Sequence, residues 1–213
     1  MQLKKSNIKR QILKAARKEF NKKGFYQTKI RDIVENSSSS IGNIYVYFEN
    51  KNDIFHEVVR PTVEELERII SEYETMDHFK EVGRWTLEWH HKFAELAARF
   101  IDSNRKNLKL LLFKSQGSRL EGLKEEFIDR ATAVNVKLIQ RLKATFPDAK
   151  ILVSEFLMHN YISFLINMAS EILMHNISYD QMIEYFNELM IFEHYGFKPL
   201  MGDFDFLNQI QQV

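Results

Sequence analysis

A short segment around residues 39–48 combines a glycine with side chains that can read the edges of nucleic-acid bases. Asn43 carries an amide that can pair in a bidentate way with adenine N6 and N7. Gly42, next to it, has no side chain to prevent a close approach. Ile41 offers only apolar contact, for which the thymine methyl group is the matching feature. These side chains are therefore chemically suited to contact base edges in the major groove of DNA.

Positive charge lies beside this segment rather than within it. No Lys or Arg occurs from Asn36 to Asn50, so the flanks must neutralise the phosphates. Lys29 and Lys51 flank the segment, and an amino-terminal arm adds Lys4, Lys5, Lys9 and Arg10. Residues 1–60 hold 13 Lys and Arg against 6 Asp and Glu, or +7, whereas residues 61–213 hold 17 against 23, or −6. A basic head favours a polyanionic partner, and a merely solvated helix face is the alternative.

The elements that must position these residues are helices. The 213 residues include only 7 Gly and 3 Pro, and 45% are hydrophobic, so the composition predicts long helices around a sizeable core. No strand ladder or internal repeat is visible, and the expected fold class is all-α. Long helices are expected to begin at Asn104, at Ser118 and at Ser178, where each of the two serines opens a capping-box pattern.

Two short helices are predicted within the basic head. Thr28 is a suitable N-cap for a helix over about 28–35, and the serines 37–40 supply a tight connection to a second helix over about 39–47. Asn50 can cap the helix that follows. Two helices of this size and spacing have the dimensions of a helix-turn-helix, in which the second helix enters the major groove.

The ordered motif of the head covers about forty residues. It consists of Ile12-Leu13, Ala15-Ala16, Phe20, Gly24-Phe25, Thr28, Ile33, the run from Ser40 to Phe48, and Lys51. This pattern resembles the N-terminal DNA-binding region of the TetR family of bacterial transcriptional regulators. The resemblance implies a three-helix helix-turn-helix DNA-binding domain at residues 1–50 and a larger helical effector-binding and dimerisation domain at residues 51–213.

The resemblance also implies phosphate contacts for five of the head residues, Thr28, Ser40, Tyr45, Tyr47 and Lys51. The whole candidate DNA-binding set is Thr28, Lys29, Ser39, Ser40, Ile41, Gly42, Asn43, Tyr45, Tyr47 and Lys51. Thr28 and Ser40 can instead serve only as helix caps, and one of the two tyrosines can mainly pack on Phe48. Ile41 stands where members of the family often carry a polar or basic residue.

An unusually apolar stretch in the second half of the chain points to assembly. Of the 24 residues from Ile151 to Met174, 16 are apolar, and they occupy all sides of a helical wheel. A transmembrane span is disfavoured because polar residues, among them Glu155, His159, Asn160, Asn167, Ser170 and Glu171, interrupt the run. Members of the TetR family pair through two C-terminal helices, so a homodimer is expected through helices at about 148–175 and 178–195. A helix enclosed by its own chain is the alternative.

An aromatic stripe with helical spacing marks a candidate effector pocket. Trp85, Trp89 and Phe93 are four residues apart, and side chains from neighbouring helices complete the candidate ligand-binding set, which adds Phe113, Phe127, His159, Phe164 and Met168. If the stripe lines a pocket, an apolar or aromatic small molecule is the matching effector. Plain core packing is the alternative.

The remaining features set limits on function. No metal site is expected, because the histidines are not accompanied by a third ligand at a recognisable spacing. No cofactor or catalytic activity is expected, because the sequence shows neither a phosphate-binding glycine loop nor the signature of a catalytic nucleophile. The absence of Cys and of an apolar amino-terminal signal favours the cytoplasm. The expected function is that of a repressor released from a palindromic operator by a small effector. A helical protein-interaction module and an apolar-ligand carrier without a role at DNA are the rivals.

Overall fold

The computed structural model describes residues 2–77 and 87–201, and within them it is entirely helical. Side chains are described for residues 7–77, 94–196 and 199–201. The helices are α1 Gln2–Gln27, α2 Ile30–Ser37, α3 Ile41–Tyr47, α4 Lys51–Thr75, α5 Leu87–Phe113, α6 Leu123–Thr145, α7 Glu155–Met174 and α8 Tyr179–Phe197, followed by a 3-10 turn at Lys198–Met201. The predicted fold class is confirmed.

The chain divides into two compact units. The first comprises Met1–Arg68 and Asn104–Lys124, and the second comprises Ile69–Ser103 and Glu125–Val213. The unit that contains α1 to α3 therefore also includes most of α4 and a later segment. The functional boundary expected at residue 50 stays a prediction.

Apolar residues of α1, spaced by about one helical turn, form the centre of the first unit. Ile12, Ala16 and Phe20 are fully buried. The ring of Phe20 meets that of Phe55 edge-on with centroids 5.0 Å apart, and Phe25 meets Phe55 at 5.2 Å. This packing orients the short helices that carry the predicted interface.

The backbone of α1 turns sharply at Gly24. Its φ of 74° and ψ of 170° lie outside the helical region, and a positive φ is strained for any residue with a Cβ. The turn brings the Phe25 amide to within 2.8 Å of the Lys114 carbonyl, to which it donates. The regular part of the first helix therefore ends at Gly24.

Polar caps define the ends of α2, α3 and α4. The Ser40 hydroxyl accepts from the Asn43 amide at 3.2 Å, and the Asn50 side chain accepts from the Asp53 amide at 3.1 Å, which confirms both predicted caps. The expected Thr28 cap is wrong by one residue, because Lys29 is the N-cap of α2 and its amide donates to Asp32 at 2.9 Å.

Two other expected helix starts are also wrong. Asn104 lies inside α5, where its side chain accepts from the Thr62 hydroxyl at 2.6 Å and donates to Glu65 at 2.9 Å. Its polar group therefore joins α5 to α4 instead of capping a helix. Ser118 lies in a turn, and α6 begins later, at Leu123.

The second unit packs α6 and α7 around a buried cluster. The cluster is formed by Ile128, Ile139, Leu142, Ile151, Val153, Met158, Ile162 and Met201. The capping box predicted at Ser178 is present, because the Ser178 amide donates to the Gln181 side chain at 3.0 Å and the Ser178 hydroxyl accepts from the Gln181 amide at 3.3 Å. No helix among the described residues is both long and apolar enough to cross a membrane.

Candidate nucleic-acid interface

Helix α3 is held by one face and exposes the other. Ile44 is fully buried and Phe48, just after the helix, is 5% exposed. Ile41, Tyr45 and Val46 are 47%, 54% and 67% exposed, and Gly42 is exposed as well. Because residues four apart share a helix face, these four form one surface, which we call the α3 face.

Asn43 and Ser40 lie at the amino-terminal edge of the α3 face. The backbone amide of Asn43 donates a hydrogen bond to the Ser40 hydroxyl. The half-buried side chain of Asn43 makes no hydrogen bond to another described residue. Ser40 is exposed, so its hydroxyl acts as a cap at the surface. Tyr47 is half-buried with its ring centroid 6.4 Å from that of Phe48, and it is thus the tyrosine that packs, while Tyr45 points outward.

Two hydroxyls of the candidate set face inward. Thr28 is 1% exposed, and its hydroxyl donates to the Gly24 carbonyl at 2.7 Å and lies 3.3 Å from the Glu19 carbonyl. The Ser39 hydroxyl oxygen is buried and has no hydrogen-bond partner among the described residues. In this conformation neither hydroxyl is exposed, so the structure does not support the phosphate contact inferred for the Thr28 hydroxyl, and the role of Ser39 stays a prediction.

The predicted phosphate-binding ammonium of Lys51 is also turned inward. Its Nζ donates to the Phe25, Tyr26 and Thr28 carbonyls at 2.7, 3.3 and 3.0 Å. It lies 4.1 Å from the centroid of the Phe25 ring, and burial lowers the pKa of the ammonium. Lys51 thus ties α4 to the turn between α1 and α2, and this role accounts for its position without a ligand.

Free positive charge is found at the start of α2 instead. Lys29 and Arg31 are both exposed, and Arg31 was missed by the sequence analysis. In the amino-terminal arm, Lys9 donates to Glu57 at 2.7 Å, and this hydrogen bond lowers the pKa of the Glu57 carboxyl. Arg10 is exposed, whereas the side chains of Lys4 and Lys5 lie outside the described residues.

Val46 is a second exposed residue that does not belong to the candidate set. It is the most exposed large side chain of the α3 face, at 67%. Its position four residues after Gly42 would have placed it on the same face of a helix. The signal was therefore available in the spacing, although a valine carries no chemistry that attracts notice.

The two helices expected to pair carry exposed apolar stripes. On α7 the exposed large residues are Phe156, Phe164 and Met174, and on α8 they are Tyr185, Ile191, Phe192 and Tyr195. Phe156 and Phe192 are 76% and 69% exposed. We call these seven residues the α7/α8 face. Apolar exposure on this scale marks an interaction surface.

The candidate effector pocket is only partly described. Trp85 lies outside the described residues, as do the side chains of Trp89 and Phe93. In the second unit Phe127 and Met168 are buried, His159 is half-buried, and Phe164 is 44% exposed; in the first unit Phe113 is 42% exposed. A described cleft of about 390 Å³ between α4 and α6 is lined by other residues, which include Glu74, Arg130 and Leu138. The pocket stays a prediction.

A half-buried acid in the second unit, Glu193, was not singled out from the sequence. Burial raises the pKa of the Glu193 carboxyl above its ordinary value, while the hydrogen bond from Tyr161 lowers it by less. Its Oε1 atom has no hydrogen-bond partner among the described residues. The folded protein therefore favours the protonated carboxyl.

This raised pKa predicts how stability changes with pH. Glu193 contributes most below its ordinary pKa of 4.5, and the contribution is lost as the pH rises through the raised folded value. We expect the Tm of Glu193→Gln to equal that of the parent protein near pH 4. At pH 8 the Tm of the variant is expected to be higher by about 2–4 °C, the shift that a change of about 1 kcal/mol in the free energy of unfolding produces. Thermal melts from pH 4 to 8 test this, with the exposed Glu188→Gln as control. Parallel Tm curves for parent and Glu193→Gln would contradict it.

A short helix that is capped by Ser40, anchored by buried side chains and preceded by a second short helix defines a helix-turn-helix protein. Comparison with known proteins gives a match for this domain. Residues 12–58 match the model of the bacterial regulatory proteins of the tetR family. The N-terminal part of the chain is therefore similar to the DNA-binding domain of that family.

Individual relatives agree with this assignment. The chain is 38% identical over 55 residues to YfiR of Bacillus subtilis (strain 168), an uncharacterized HTH-type transcriptional regulator. The match covers 26% of this chain and 27% of YfiR, so it spans about a quarter of that relative.

Solved structures share the fold over most of the chain. A Clostridium perfringens protein assigned as a fatty acid metabolism regulator is 16% identical with a TM-score of 0.56, covering 84% of this chain and 96% of its own. The Bacillus subtilis regulator FadR, solved in complex with stearoyl-CoA, is 19% identical with a TM-score of 0.51 over the same shares. At these identities the likeness concerns the fold, an N-terminal helix-turn-helix domain followed by a larger helical domain.

Proposed function

We propose that this transcriptional regulator binds a palindromic operator as a homodimer in the cytoplasm and acts as a repressor. The observation that carries the proposal is the α3 face, which is exposed because Ile44 and Phe48 anchor the opposite side. In a helix-turn-helix this face enters the major groove. Lys29 and Arg31 at the start of α2 supply charge for the phosphates. The family match over residues 12–58 supports the same role.

Homodimerisation is part of the proposal. The α7/α8 face supplies seven exposed large side chains from two adjacent helices. Burying them against the same face of a second copy is a self-complementary arrangement with two-fold symmetry. Such a dimer carries two α3 helices, and two half-sites one or more helical turns apart make the operator palindromic.

A small apolar effector completes the proposed regulation. The solved FadR holds stearoyl-CoA, whose acyl chain is apolar, and this supports an apolar effector for the second unit here. An effector that binds one conformer better shifts the population toward it and changes the spacing of the two heads. Stearoyl-CoA is the first probe, with free CoA as control, and release of bound DNA by the acylated form alone is expected.

Fluorescence anisotropy with DNA that flanks the protein's own gene tests the proposed function. We expect sequence-preferring binding that weakens about a thousandfold or more between 50 and 200 mM salt, because at least about six phosphates are contacted by a dimer. Equal affinity for scrambled DNA would contradict the proposal. Ligand binding with no DNA complex would instead identify a carrier or a protein-interaction module.

The structure separates two lysines that the sequence treats alike. We expect Lys51→Ala to lower the free energy of unfolding by about 2–4 kcal/mol, because the ammonium bonds to backbone carbonyls are lost. We expect Lys29→Ala to leave the Tm unchanged and to reduce the slope of log affinity against log salt by about two, because each protomer of the dimer loses one phosphate contact. Chemical denaturation and salt titrations measure the two effects. An unchanged unfolding midpoint in Lys51→Ala would show that this ammonium is free.

A further inference from the structure

The chemistry of the α3 face restricts which base pairs it can read. Its members Ile41, Gly42, Tyr45 and Val46 carry no charge, and their large side chains are 47–67% exposed. The wider segment from Asn36 to Asn50 contains no Lys or Arg. Arg and Lys are the side chains that pair with guanine O6 and N7, so α3 has no standard guanine reader.

The orientation of α3 fixes which side chains meet a ligand. Ile44 is fully buried and Phe48 is 5% exposed, so rotation of the helix about its axis would bring both into water. Such a rotation is opposed by the hydrophobic effect. The Ser40 cap holds the amino-terminal end as well. The exposed apolar side chains are therefore the ones presented to the groove.

Only one feature of the major groove is apolar. Thymine displays a C5 methyl group there, and the adenine opposite displays the N6 and N7 atoms that an Asn amide can pair with. Ile41 and Val46 match the methyl group, and Asn43 matches the adenine. Both kinds of contact select the same base pair.

We infer that α3 selects A·T base pairs, and that Ile41 and Val46 recognise thymine C5 methyl groups in each half-site. This inference rests on the proposed DNA-binding function and adds the class of sequence that is read. Phosphate contacts from the start of α2 supply affinity without sequence preference, whereas the methyl contacts supply specificity.

Deoxyuridine provides a direct probe, since it differs from thymidine only by the missing methyl group. An operator is first selected from a random duplex library with the full-length protein. Its half-site thymines are then replaced singly by deoxyuridine, and anisotropy gives the affinities. We expect a loss of about fourfold for each contacted methyl group, the effect of one buried methylene-sized group. Replacement outside the half-sites is the control and is expected to change nothing.

Variants assign the effect to α3. We expect Val46→Ala and Ile41→Ala to lose the discrimination between thymidine and deoxyuridine at their own positions. Leu96→Ala, which changes a side chain 58% exposed on α5, is the matched control. Because all three positions are exposed, the substitutions are expected to change stability little, and thermal melts check this.

These experiments test the A·T selectivity of α3 separately from the proposed DNA binding. A G·C-rich selected half-site, equal affinity for thymidine and deoxyuridine operators, or discrimination that persists in both α3 variants would overturn the inference while leaving the DNA-binding function intact. Absence of any sequence preference in the selection would refute both.

Discussion

Phe192→Asp is expected to convert the proposed dimer to monomers. Phe192 is 69% exposed in the single chain and belongs to the α7/α8 face. In a dimer with two-fold symmetry the substitution removes both Phe192 side chains from the interface. At about 1.5–3 kcal/mol for each buried phenylalanine, the loss in dimerisation free energy is about 3–6 kcal/mol. The dimer dissociation constant should therefore rise at least about a hundredfold. Analytical ultracentrifugation at micromolar concentration measures the change.

The new carboxylate has no partner on these helices. No Lys or Arg occurs from Ile151 to Phe197, so these helices supply no Lys or Arg side chain that could neutralise an Asp placed there. DNA affinity should fall together with dimerisation, because a monomer engages one half-site only. Leu96→Asp, which places the same charge on α5 in the same unit, is the control and is expected to remain dimeric. A parent protein that sediments as a monomer would refute the proposed assembly.

The helix-turn-helix could be predicted from the sequence because its determinants are local. Ser40 and Asn50 cap the helices that the pattern assigns to them, and Gly24 adopts the positive φ that ends the first helix. Each of these effects depends on residues within a few positions along the chain. Composition alone, with few Gly and Pro, was enough for the all-α class.

The roles of Lys51 and Thr28 could not be predicted in this way. Both side chains bond to carbonyls of residues at or near the turn at the end of α1, and for Lys51 these lie 23–26 positions away in the chain. In any sequence, a lysine at the start of a helix suggests a phosphate ligand, and a threonine before a helix suggests an N-cap. Tertiary packing decides between contact with DNA and contact with the chain's own backbone.

Asn104 illustrates the same limit in the body of the protein. An asparagine is a good helix start, and the sequence predicted one there. In the structure its amide bonds to Thr62 and Glu65 within the first unit, at separations of 42 and 39 positions along the chain, so α5 continues through it. Long-range hydrogen bonds outweigh a local preference of about 1 kcal/mol.

The assignment of α3 to the major groove is the central claim, and Gly42 offers a test that does not disturb the fold. Gly42 lies within α3 and is not among the glycines with a positive φ. A Cβ built on it would meet only the Ser40 hydroxyl, at 3.9 Å, which is ordinary contact. A longer side chain is therefore tolerated by the protein itself, and helix propensity favours it by up to about 1 kcal/mol.

Gly42→Gln, assayed by anisotropy against a selected operator and by thermal melting, tests the claim most directly. We expect an unchanged or higher Tm together with a loss of at least about tenfold in specific DNA affinity, because the new side chain occupies space between helix and groove. Gly122→Gln is the matched control, since a Cβ there meets nothing within 4 Å. A Gly42→Gln protein that binds the operator as tightly as the parent would contradict the placement of α3 in the groove.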